Sequence, residues 1–409
     1  MTDRMVLFLS TWFPYPPDNG SKLRVYHLLR ALGQRHEVTL VSFAFDAAAP
    51  GEAGELSRYC ADVQTVPINP FEFNRAGSLR TFLAAAPVAF RPIPAMRQLV
   101  HEAWQRGRFD AVIASVEVMA PYALALPSGI PKVLEEHNCL TRWMGERYVA
   151  QKGVLQRMRC WVSWQKARRY ESRLFPQFDL ITMVSEQDRQ IGQALLKGAG
   201  RQVAVVPNGV DCAHNRPDLA QPQPNRLVYN GALTYDANYD AMQFFLAEIY
   251  PRIRQGAPGV SLAITGATHG VNLGGLTLDD SVRLTGYVPD VRIPVAEAAV
   301  CVVPIRQGGG TRLKILEAMA LGTPVVATFK GAEGLEVTDG EHLLLADTPQ
   351  AFAAATLRLL GDPALRTRLA LNARRLVEER YDWEQIGQRF VALVEETVSQ
   401  SRGLSRSSS

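Results

Sequence analysis

The stretch GGGTRLKILEAMALGTPVV, residues 308–326, indicates more than any other how this chain folds and what it binds. Three glycines lead into an amphipathic segment, which we predict to be a helix beginning near Thr311. The first N–H groups of such a helix, and the positive end of its dipole, point at whatever occupies the glycine loop. Arg312 and Lys314 add two cations there, and Glu317 lies about one turn further along. This pattern suits a phosphate-bearing ligand with hydroxyl groups within reach of a carboxylate.

The glycine loop itself is the first candidate for that contact. We predict that Gly309, Gly310 and Thr311 approach the phosphates, because glycine lets a main chain come close to a ligand. The alternative is a plain turn between a strand and a helix, with Lys314 and Glu317 forming a surface pair. Glycine-rich loops are common in α/β proteins, so the loop alone does not decide between the two.

Composition and length describe an ordinary globular protein of two domains. The chain has 409 residues, more than one hydrophobic core usually supports, and 47% of them are apolar while 21% are charged. A net charge of +4 is too small to indicate a nucleic-acid partner. Five scattered cysteines without a CxxC pair favour a reducing compartment and argue against structural zinc. The apolar run at residues 5–9 is too short for a signal peptide or a membrane span, so we expect a cytoplasmic protein.

Strand-like and helix-like patterns alternate along the chain. Short, nearly all-apolar, β-branched runs are typical of strands buried on both faces of a parallel sheet. A first series of such runs comprises residues 6–9, 38–43, 63–67, 111–114, 132–135, 180–184 and 203–206. A second series comprises residues 227–229, 262–265, 282–284, 300–303 and 324–327. We therefore predict an α/β fold with two Rossmann-like parallel-sheet domains that face each other across a cleft.

The predicted domain limits follow from the same pattern. Residues 1–206 form the first domain and residues 207–383 the second, with the proline-rich segment 215–225 between the two series of strands. A helix at residues 384–400 is expected to pack back on the first domain. The tail at residues 401–409, SRGLSRSSS, has the composition of a disordered segment.

Residues 317–326, EAMALGTPVV, resemble the signature of the family 4 retaining glycosyltransferases, which have the GT-B architecture of two Rossmann-like domains. In that family two glutamates eight residues apart precede AMA-x-G-x-PVV, and Glu317 with everything after it matches. The resemblance covers essentially the whole chain. It implies that Glu317 holds the ribose of a nucleotide, because a carboxylate can accept from two vicinal hydroxyls. It also implies that the first domain holds the acceptor and the second the nucleotide sugar.

The chain departs from this family pattern at two places. The first of the two glutamates, which contacts the donor sugar in the family, is Gly309 here. The arginine and lysine that hold the diphosphate in the family are replaced by Ala232 and Ala237. We hypothesise that Arg312 and Lys314 take over from these cations, since both flank the same phosphate position. The alternative is that they are ordinary solvated helix residues.

Three further loops carry candidate donor contacts by the same resemblance. Asn19 and Gly20 form a tight turn that would lie against the diphosphate and sugar, with Ser21 able to cap the following helix. Asn208 lies where the first domain passes into the second, and Val288 lies in a loop that would hold the nucleotide base through its backbone. Each of these loops also has a plain structural interpretation as a turn.

His137 is the candidate catalytic residue with the strongest placement. It follows a predicted strand at residues 132–135, at the edge of the sheet where ligands bind in α/β proteins. The resemblance implies a contact with the donor sugar, and a histidine can donate to a hydroxyl or respond to charge near the anomeric centre. The neighbouring Glu136 could orient the ring or raise its pKa. The alternative is a loop histidine whose nitrogens bond to the backbone.

Residues 156–173, QRMRCWVSWQKARRYESR, form a strongly basic helix candidate with Trp161 and Trp164 three residues apart. A basic face with tryptophans suits the surface of an anionic membrane or a phosphorylated lipid acceptor. The alternative is that the tryptophans pack inward and the arginines are simply solvated. We therefore expect a cytoplasmic protein that could lie peripherally on the inner face of the membrane.

The resemblance implies a retaining glycosyltransferase that moves a sugar from a nucleotide-diphosphate sugar to a hydroxyl of a glycan, glycolipid or lipid-linked intermediate. The expected catalytic set is His137, Arg312, Lys314 and Glu317. Because no carboxylate stands at position 309, we expect front-face attack by the acceptor, with the leaving diphosphate as the base. Neither a metal ion nor a cofactor is predicted, and no nucleic-acid partner.

Two alternative functions remain open. A nucleotide-sugar epimerase of the same fold would bind a similar ligand without transferring anything. A non-catalytic partner subunit would bind a nucleotide or glycan only, and the residues at positions 232, 237 and 309 make that alternative reasonable.

Overall fold

The computed structural model describes residues 4–45, 54–71, 92–198, 200–308 and 312–407, with side chains described as far as residue 402. The predicted ligand contacts at Gly309, Gly310 and Thr311 lie outside these residues. The chain divides into two compact units. The first unit contains residues up to 207 together with residues from 386 onward, and the second contains residues 208–385.

In the described residues of the first unit, seven parallel strands form one sheet. They are β1 Met5–Ser10, β2 Glu37–Phe43, β3 Asp62–Val66, β4 Ala111–Ser115, β5 Lys132–Glu135, β6 Leu180–Met183 and β7 Gln202–Val205. Their order across the sheet is β3-β2-β1-β4-β5-β6-β7. Strands β4, β5 and β6 are buried at every position, as expected for a sheet with both faces covered.

The described part of the second unit has six parallel strands in one sheet. They are β8 Gln223–Asn230, β9 Ser261–Thr265, β10 Val282–Gly286, β11 Ala298–Val303, β12 Val325–Ala327 and β13 Leu344–Leu345. Their order is β10-β9-β8-β11-β12-β13, the strand order of a dinucleotide-binding sheet. The predicted α/β class with two Rossmann-like parallel sheets is confirmed.

Helices connect the strands. In the first unit they are α1 Gly20–Gly33, α2 Pro94–Arg106, α3 Ala120–Leu124, α4 Leu140–Ala150, α5 Val154–Leu174 and α6 Glu186–Leu195. In the second they are α7 Asp236–Phe244, α8 Tyr250–Gly256, α9 Arg292–Ala296, α10 Leu313–Ala320, α11 Pro349–Gly361 and α12 Pro363–Arg380. None of the helices in the described ranges is both long and apolar enough to span a bilayer.

The final helix, α13 Trp383–Ser407, belongs to the first unit from Ile386 onward. Its buried apolar side chains recur at helical spacing, as Ile386, Phe390, Val394 and Val398 show. The helix runs into the segment for which composition predicts disorder. Arg402, in that segment, forms an ion pair with Asp110, and residues 408–409 lie outside the described part.

The strand order reverses once in each sheet, between β1 and β4 in the first and between β8 and β11 in the second. In open parallel sheets ligands bind beyond the carboxyl ends of the strands at such a reversal, because the connections diverge there and leave a crevice. Asn230 ends strand β8 and Ser115 ends strand β4. The candidate residues His137 and Glu317 are therefore found near these two edges.

Candidate functional site

The ammonium group of Lys314 lies in a polar pocket of the second unit. Helix α10 begins at Leu313, with Arg312 in the N-cap position, so Lys314 is in the first turn. Its Nζ donates to the hydroxyl of Tyr229 and to Oδ1 of Asn238, each at 2.9 Å. The tyrosine hydroxyl in turn donates to the same Oδ1 at 2.7 Å. A half-buried cation is therefore held in place by side chains from strand β8 and helix α7.

This environment lowers the pKa of Lys314. Burial is the largest cause, because it disfavours the charged form, and the nearby guanidinium of Arg312 acts in the same direction. Cys301 and Glu317 oppose the shift, and the resulting pKa is about 7. Lys314 would gain charge stabilisation from an anion bound beside it.

The ammonium group of Lys314 can occupy its position because residue 231 is a glycine. A Cβ atom built on this glycine would lie 2.6 Å from Nζ of Lys314 and 2.9 Å from Nδ2 of Asn238. Any side chain here would therefore displace the ammonium group. The glycine in the turn after strand β8 thus lets the side chain of Lys314 come close to the main chain. The sequence alone does not reveal this contact.

Arg312 holds the end of the glycine loop. Its Nη2 donates to the carbonyl of Gly308 at 2.5 Å, and the residue is only 7% exposed. Gly308 has a φ of 96°, a left-handed conformation that favours glycine. Arg312 and Lys314 are therefore not the freely solvated helix residues of the alternative interpretation.

Glu317 lies one turn beyond Lys314 and faces strand β8. Its Oε2 accepts from Nδ2 of Asn230 at 2.7 Å, and Oδ1 of Asn230 accepts from the hydroxyl of Thr265 at 3.2 Å. Burial raises the pKa of Glu317, while Lys314 and Asn230 partly oppose that shift. The structure thus brings Glu317 and Lys314 together at the carboxyl end of the central strand.

The two alanines that replace the family's cations lie next to the same pocket. Ala237 is buried and immediately precedes Asn238, the partner of Lys314. The carbonyl of Ala232 accepts from Nδ2 of Asn238 at 2.8 Å. The ammonium group of Lys314 therefore reaches the segment in which the family has its phosphate-binding cations.

In the first unit, His137 belongs to a buried hydrogen-bond network. Its Nε2 lies 3.1 Å from Oε2 of Glu135 and 3.1 Å from Oγ of Ser115. The hydroxyl of Ser115 also donates to Oε2 of Glu135, at 2.8 Å. On the other side of the carboxylate, Nε of Arg24 lies 2.5 Å from Oε1. The four side chains come from α1, β4, β5 and the loop after β5.

The charge of Glu135 is stabilised by this network. Burial by itself would raise the pKa of Glu135, but Arg24 and His137 outweigh it and hold the pKa well below its usual range. A carboxylate beside Nε2 places the ring hydrogen of a neutral imidazole on that nitrogen. Nδ1 then becomes the acceptor. It is buried and has no hydrogen-bond partner in the part of the chain that the structure describes.

The expectation that Glu136 orients His137 is wrong. Consecutive side chains at the end of a strand point to opposite faces, so only Glu135 reaches the imidazole. Glu136 is buried elsewhere, near Glu117 and Glu171. Burial and these neighbouring carboxyl groups raise its pKa well above the usual value.

Several residues of this network were not identified from the sequence. Glu135 and Ser115 end two neighbouring strands, and that position could have marked them as candidates. Arg24 and Trp12 carry no such signal. The ring of Trp12 stacks on that of His137, with 5.4 Å between centroids and 19° between planes.

The three remaining candidate loops lie before α1, at the start of the second unit and after β10. Asn19 is the N-cap of α1, accepting from the N–H groups of Ser21 and Lys22 at 3.1 Å, so it and not Ser21 caps the helix. Gly20 is the first residue of that helix. Asn208 is half-buried at the start of the second unit, and Val288 is half-buried in the loop after β10. Their predicted ligand contacts stay predictions.

Family models match both units of this chain. A model described as Glycosyltransferase Family 4 matches residues 19–214. A model described as Glycosyl transferases group 1 matches residues 224–362. Together they cover both Rossmann-like sheets apart from the first strand.

Individual proteins resemble this chain in sequence or in structure. Glycogen synthase of Mycobacterium tuberculosis is 27% identical, over 93% of this chain and 92% of its own length. Phosphatidyl-myo-inositol mannosyltransferase of Mycobacterium leprae is 32% identical, over 50% of this chain and 56% of its own length. The structure of Anabaena HepE in complex with UDP and glucose superimposes with a TM-score of 0.66 at 17% identity, covering 96% of this chain and all of that one.

Proposed function

We propose, from the premise that this chain belongs to the family 4 glycosyltransferases of GT-B fold, that it transfers a sugar from a nucleotide-diphosphate sugar to a hydroxyl group with retention of configuration. The observation that carries the proposal is that Lys314 and Glu317 lie on consecutive turns of α10, each hydrogen-bonded to a residue at the carboxyl end of β8. This arrangement offers a cation for a phosphate and a carboxylate for a ribose at one sheet edge, which supports the proposal.

The donor would be held by contacts of three kinds. Lys314, with Arg312 and the start of α10, would stabilise the diphosphate, and Glu317 would accept from the ribose hydroxyls. The backbone near Val288 would hold the base. Gly309, Gly310, Thr311, Asn19, Gly20 and Asn208 are the further proposed contacts. The first unit would hold the acceptor.

The proposed reaction is a substitution at the anomeric carbon from the face of the leaving group. The bond between this carbon and the diphosphate oxygen breaks as the bond to the acceptor oxygen forms. The acceptor proton passes to the departing diphosphate, which takes the electron pair of the broken bond. Lys314 and Arg312 would stabilise the charge that develops there, so they act more strongly on the transition state than on the bound donor.

His137 is proposed to contact the donor sugar. The contact with Glu135 leaves Nδ1 as an acceptor in the neutral imidazole, which suits a sugar hydroxyl. If the ring is protonated, Nδ1 becomes a donor and adds a positive charge near the reacting carbon. In both states Glu135 and Ser115 fix the orientation of the ring.

The acceptor is proposed to be a hydroxyl of a glycan, a glycolipid or a lipid-linked intermediate. The name of the Mycobacterium leprae relative describes transfer to a phosphatidyl-inositol, and the Mycobacterium tuberculosis relative is a glycogen synthase. A cytoplasmic site of action is proposed as well. The five cysteines, all within the described ranges, form no disulfide, which supports a reducing compartment.

A panel of nucleotide diphosphates and their sugars tests the proposal. A true donor raises the unfolding temperature through mass action, and we expect one base to be preferred. That donor is then incubated with glycan and lipid-linked acceptors, with and without EDTA. We expect release of nucleotide diphosphate, a product with the anomeric configuration of the donor by NMR, and no effect of EDTA. Isomerisation of the donor without release would identify an epimerase, and binding without turnover a non-catalytic subunit.

A further inference from the structure

The end of the helical hairpin formed by α4 and α5 exposes apolar side chains. In the described ranges twelve large apolar residues are exposed, and six of them lie within residues 143–161. These six are Trp143, Val149, Val154, Leu155, Met158 and Trp161. We call residues 149–161 the hairpin tip. Val154 is 83% and Leu155 75% exposed, so both apolar side chains point into solvent at the start of α5. Apolar residues grouped in this way mark an interaction surface.

The exposed apolar residues of α5 are not the ones that hold the hairpin together, although the guanidinium of Arg157 lies 5.0 Å from the ring centre of Tyr148 in α4. Trp164 packs against Leu140, Met144 and Ala167, and its ring stacks on that of Tyr148 at 5.6 Å. Glu171 fixes the start of α4 by accepting from the N–H groups of residues 140 and 141. The two tryptophans of the basic helix therefore differ, because Trp164 packs inward while Trp161 is 47% exposed.

Three apolar residues of the hairpin tip occupy one side of α5, and Leu155 lies about 100° around the helix from Val154. Val154, Met158 and Trp161 are spaced by four and three residues, which places them on a common face. The packing residues Trp164, Ala167 and Glu171 lie on a different face, about a third of a turn away by the 3.6-residue period. One face of α5 thus packs against α4, and the other exposes apolar side chains that a partner could contact.

Charge identifies the kind of partner. Residues 142–173 contain nine Lys and Arg against two Asp and Glu, a net charge of +7, whereas the whole chain has only +4. The rest of the chain is therefore net acidic. Of the two acids, Glu171 is buried and Glu146 pairs with Arg142. The hairpin tip has three cations, Lys152, Arg157 and Arg159, and no acidic residue.

We propose that the hairpin tip docks on an anionic membrane surface. Val154, Leu155 and Met158 would enter the boundary between headgroups and acyl chains, with Trp161 at the interface and the arginines on lipid phosphates. Exposed aliphatic side chains at the start of α5 have no apolar surface to contact in water, and a bilayer supplies one without a matching groove. This docking does not rest on the proposed function, because it requires neither nucleotide nor acceptor.

Vesicle sedimentation of the full chain tests this surface. Wild-type protein is expected to bind phosphatidylglycerol-containing vesicles and to bind pure phosphatidylcholine vesicles at least ~10-fold more weakly, with binding reduced by salt. The double variant Val154→Ser/Leu155→Ser should lose at least ~10-fold in binding to the anionic vesicles. Arg157→Gln/Arg159→Gln should lose a similar factor. Leu371→Ser, which changes an apolar residue 66% exposed in the second unit, should bind as wild type.

The position of Trp161 gives a second, independent signal. Brominated phosphatidylglycerol should quench part of the tryptophan fluorescence of the wild type, and Trp161→Phe should remove that quenching. Circular dichroism checks that each variant is folded. The proposal is overturned if folded wild type does not bind anionic vesicles, or if binding survives Val154→Ser/Leu155→Ser and depends on the arginines alone. Vesicle binding by a protein without transferase activity would contradict only the proposed function.

Discussion

Arg24 of helix α1 and Glu135 of strand β5 form a buried ion pair, with 2.5 Å between Nε and Oε1 and exposures of 1% and 0% for the two side chains. The guanidinium also donates to the carbonyl of Pro207 at 3.0 Å. The second oxygen of the carboxylate faces Nε2 of His137 at 3.1 Å. The pair thus fixes the group that orients the candidate catalytic histidine, and links that histidine to the first helix.

Breaking this pair from one side should destabilise the first unit strongly. In Arg24→Met the carboxylate of Glu135 stays buried without its cation, and we expect a loss of about 3–5 kcal/mol in the free energy of unfolding. Urea denaturation measures it. The double variant Arg24→Met/Glu135→Gln should lose clearly less than the sum of the two single variants, because it leaves no unpaired charge. Additive losses would contradict a direct coupling.

The pair also predicts a dependence of stability on pH. Since Arg24 and His137 hold the pKa of Glu135 below its ordinary value of 4.5, its contribution to stability is complete above pH 4.5 and decreases as the pH falls. Wild type should therefore lose stability faster on acidification than Glu135→Gln, which has no carboxylate to protonate. Unfolding free energies of the two proteins, measured across that range, give the comparison. Parallel curves would show that Glu135 has an ordinary pKa in the folded protein.

His137→Ala tests the role of the histidine in catalysis. If Nδ1 contacts the donor sugar, turnover should fall at least ~10-fold, whereas binding of the free nucleotide diphosphate should stay unchanged. Glu135→Gln should also lower turnover, because the amide no longer fixes the ring hydrogen on Nε2. Titration calorimetry with the nucleotide diphosphate is the control. A loss of nucleotide affinity in His137→Ala would place the histidine in another part of the site.

Glu317→Ala tests the proposed ribose contact. The variant removes an acceptor for the ribose hydroxyls, and we expect nucleotide-sugar binding to weaken by about 1.5–3 kcal/mol. Asn230 loses its bond to Oε2 as well, so the unfolding temperature is measured alongside affinity. Glu396→Ala, at an exposed carboxylate of α13, is the matched control. Unchanged affinity in a folded Glu317→Ala protein would refute the assignment.

Lys314 should couple diphosphate binding to proton uptake. Its pKa of about 7 means that the free ammonium loses its proton as the pH rises through that value. A bound diphosphate stabilises the charged form of Lys314. When the diphosphate binds above pH 7, the lysine should therefore take up a proton, whereas well below pH 7 it already has that proton. Titration calorimetry in buffers of different ionisation enthalpy measures this uptake.

The matched variants are Lys314→Met and Lys330→Met. Lys314→Met should abolish the additional uptake and weaken diphosphate binding by about 1–3 kcal/mol, whereas Lys330→Met should behave as wild type. Nucleoside affinity should be the same in all three proteins. Identical proton uptake in wild type and Lys314→Met would exclude Lys314 from the phosphate contact.

The two sheets could be predicted from the sequence because their strands are short, apolar and β-branched, a local pattern that independent stretches of chain repeat. Strand β13 was missed, since Leu344–Leu345 is too short to show any period. Glu317 and residues 309–311 could be named as candidates from the sequence, because their chemistry and spacing lie within one continuous segment, and their ligand contacts stay predictions.

Only the tertiary structure determines the partners of the charged candidate residues. Lys314 contacts Tyr229, 85 positions away, and Glu135 contacts Arg24, 111 positions away. From the sequence, Glu136 was the expected carboxylate partner of His137, whereas the partner in the structure is Glu135. Sequence spacing does not tell on which face of the strand end a side chain lies. Local sequence determines strands, helices and turns through backbone preference and burial. Charged residues that are far apart in the sequence become partners only when the sheet forms, because the sheet brings their helices and strands together.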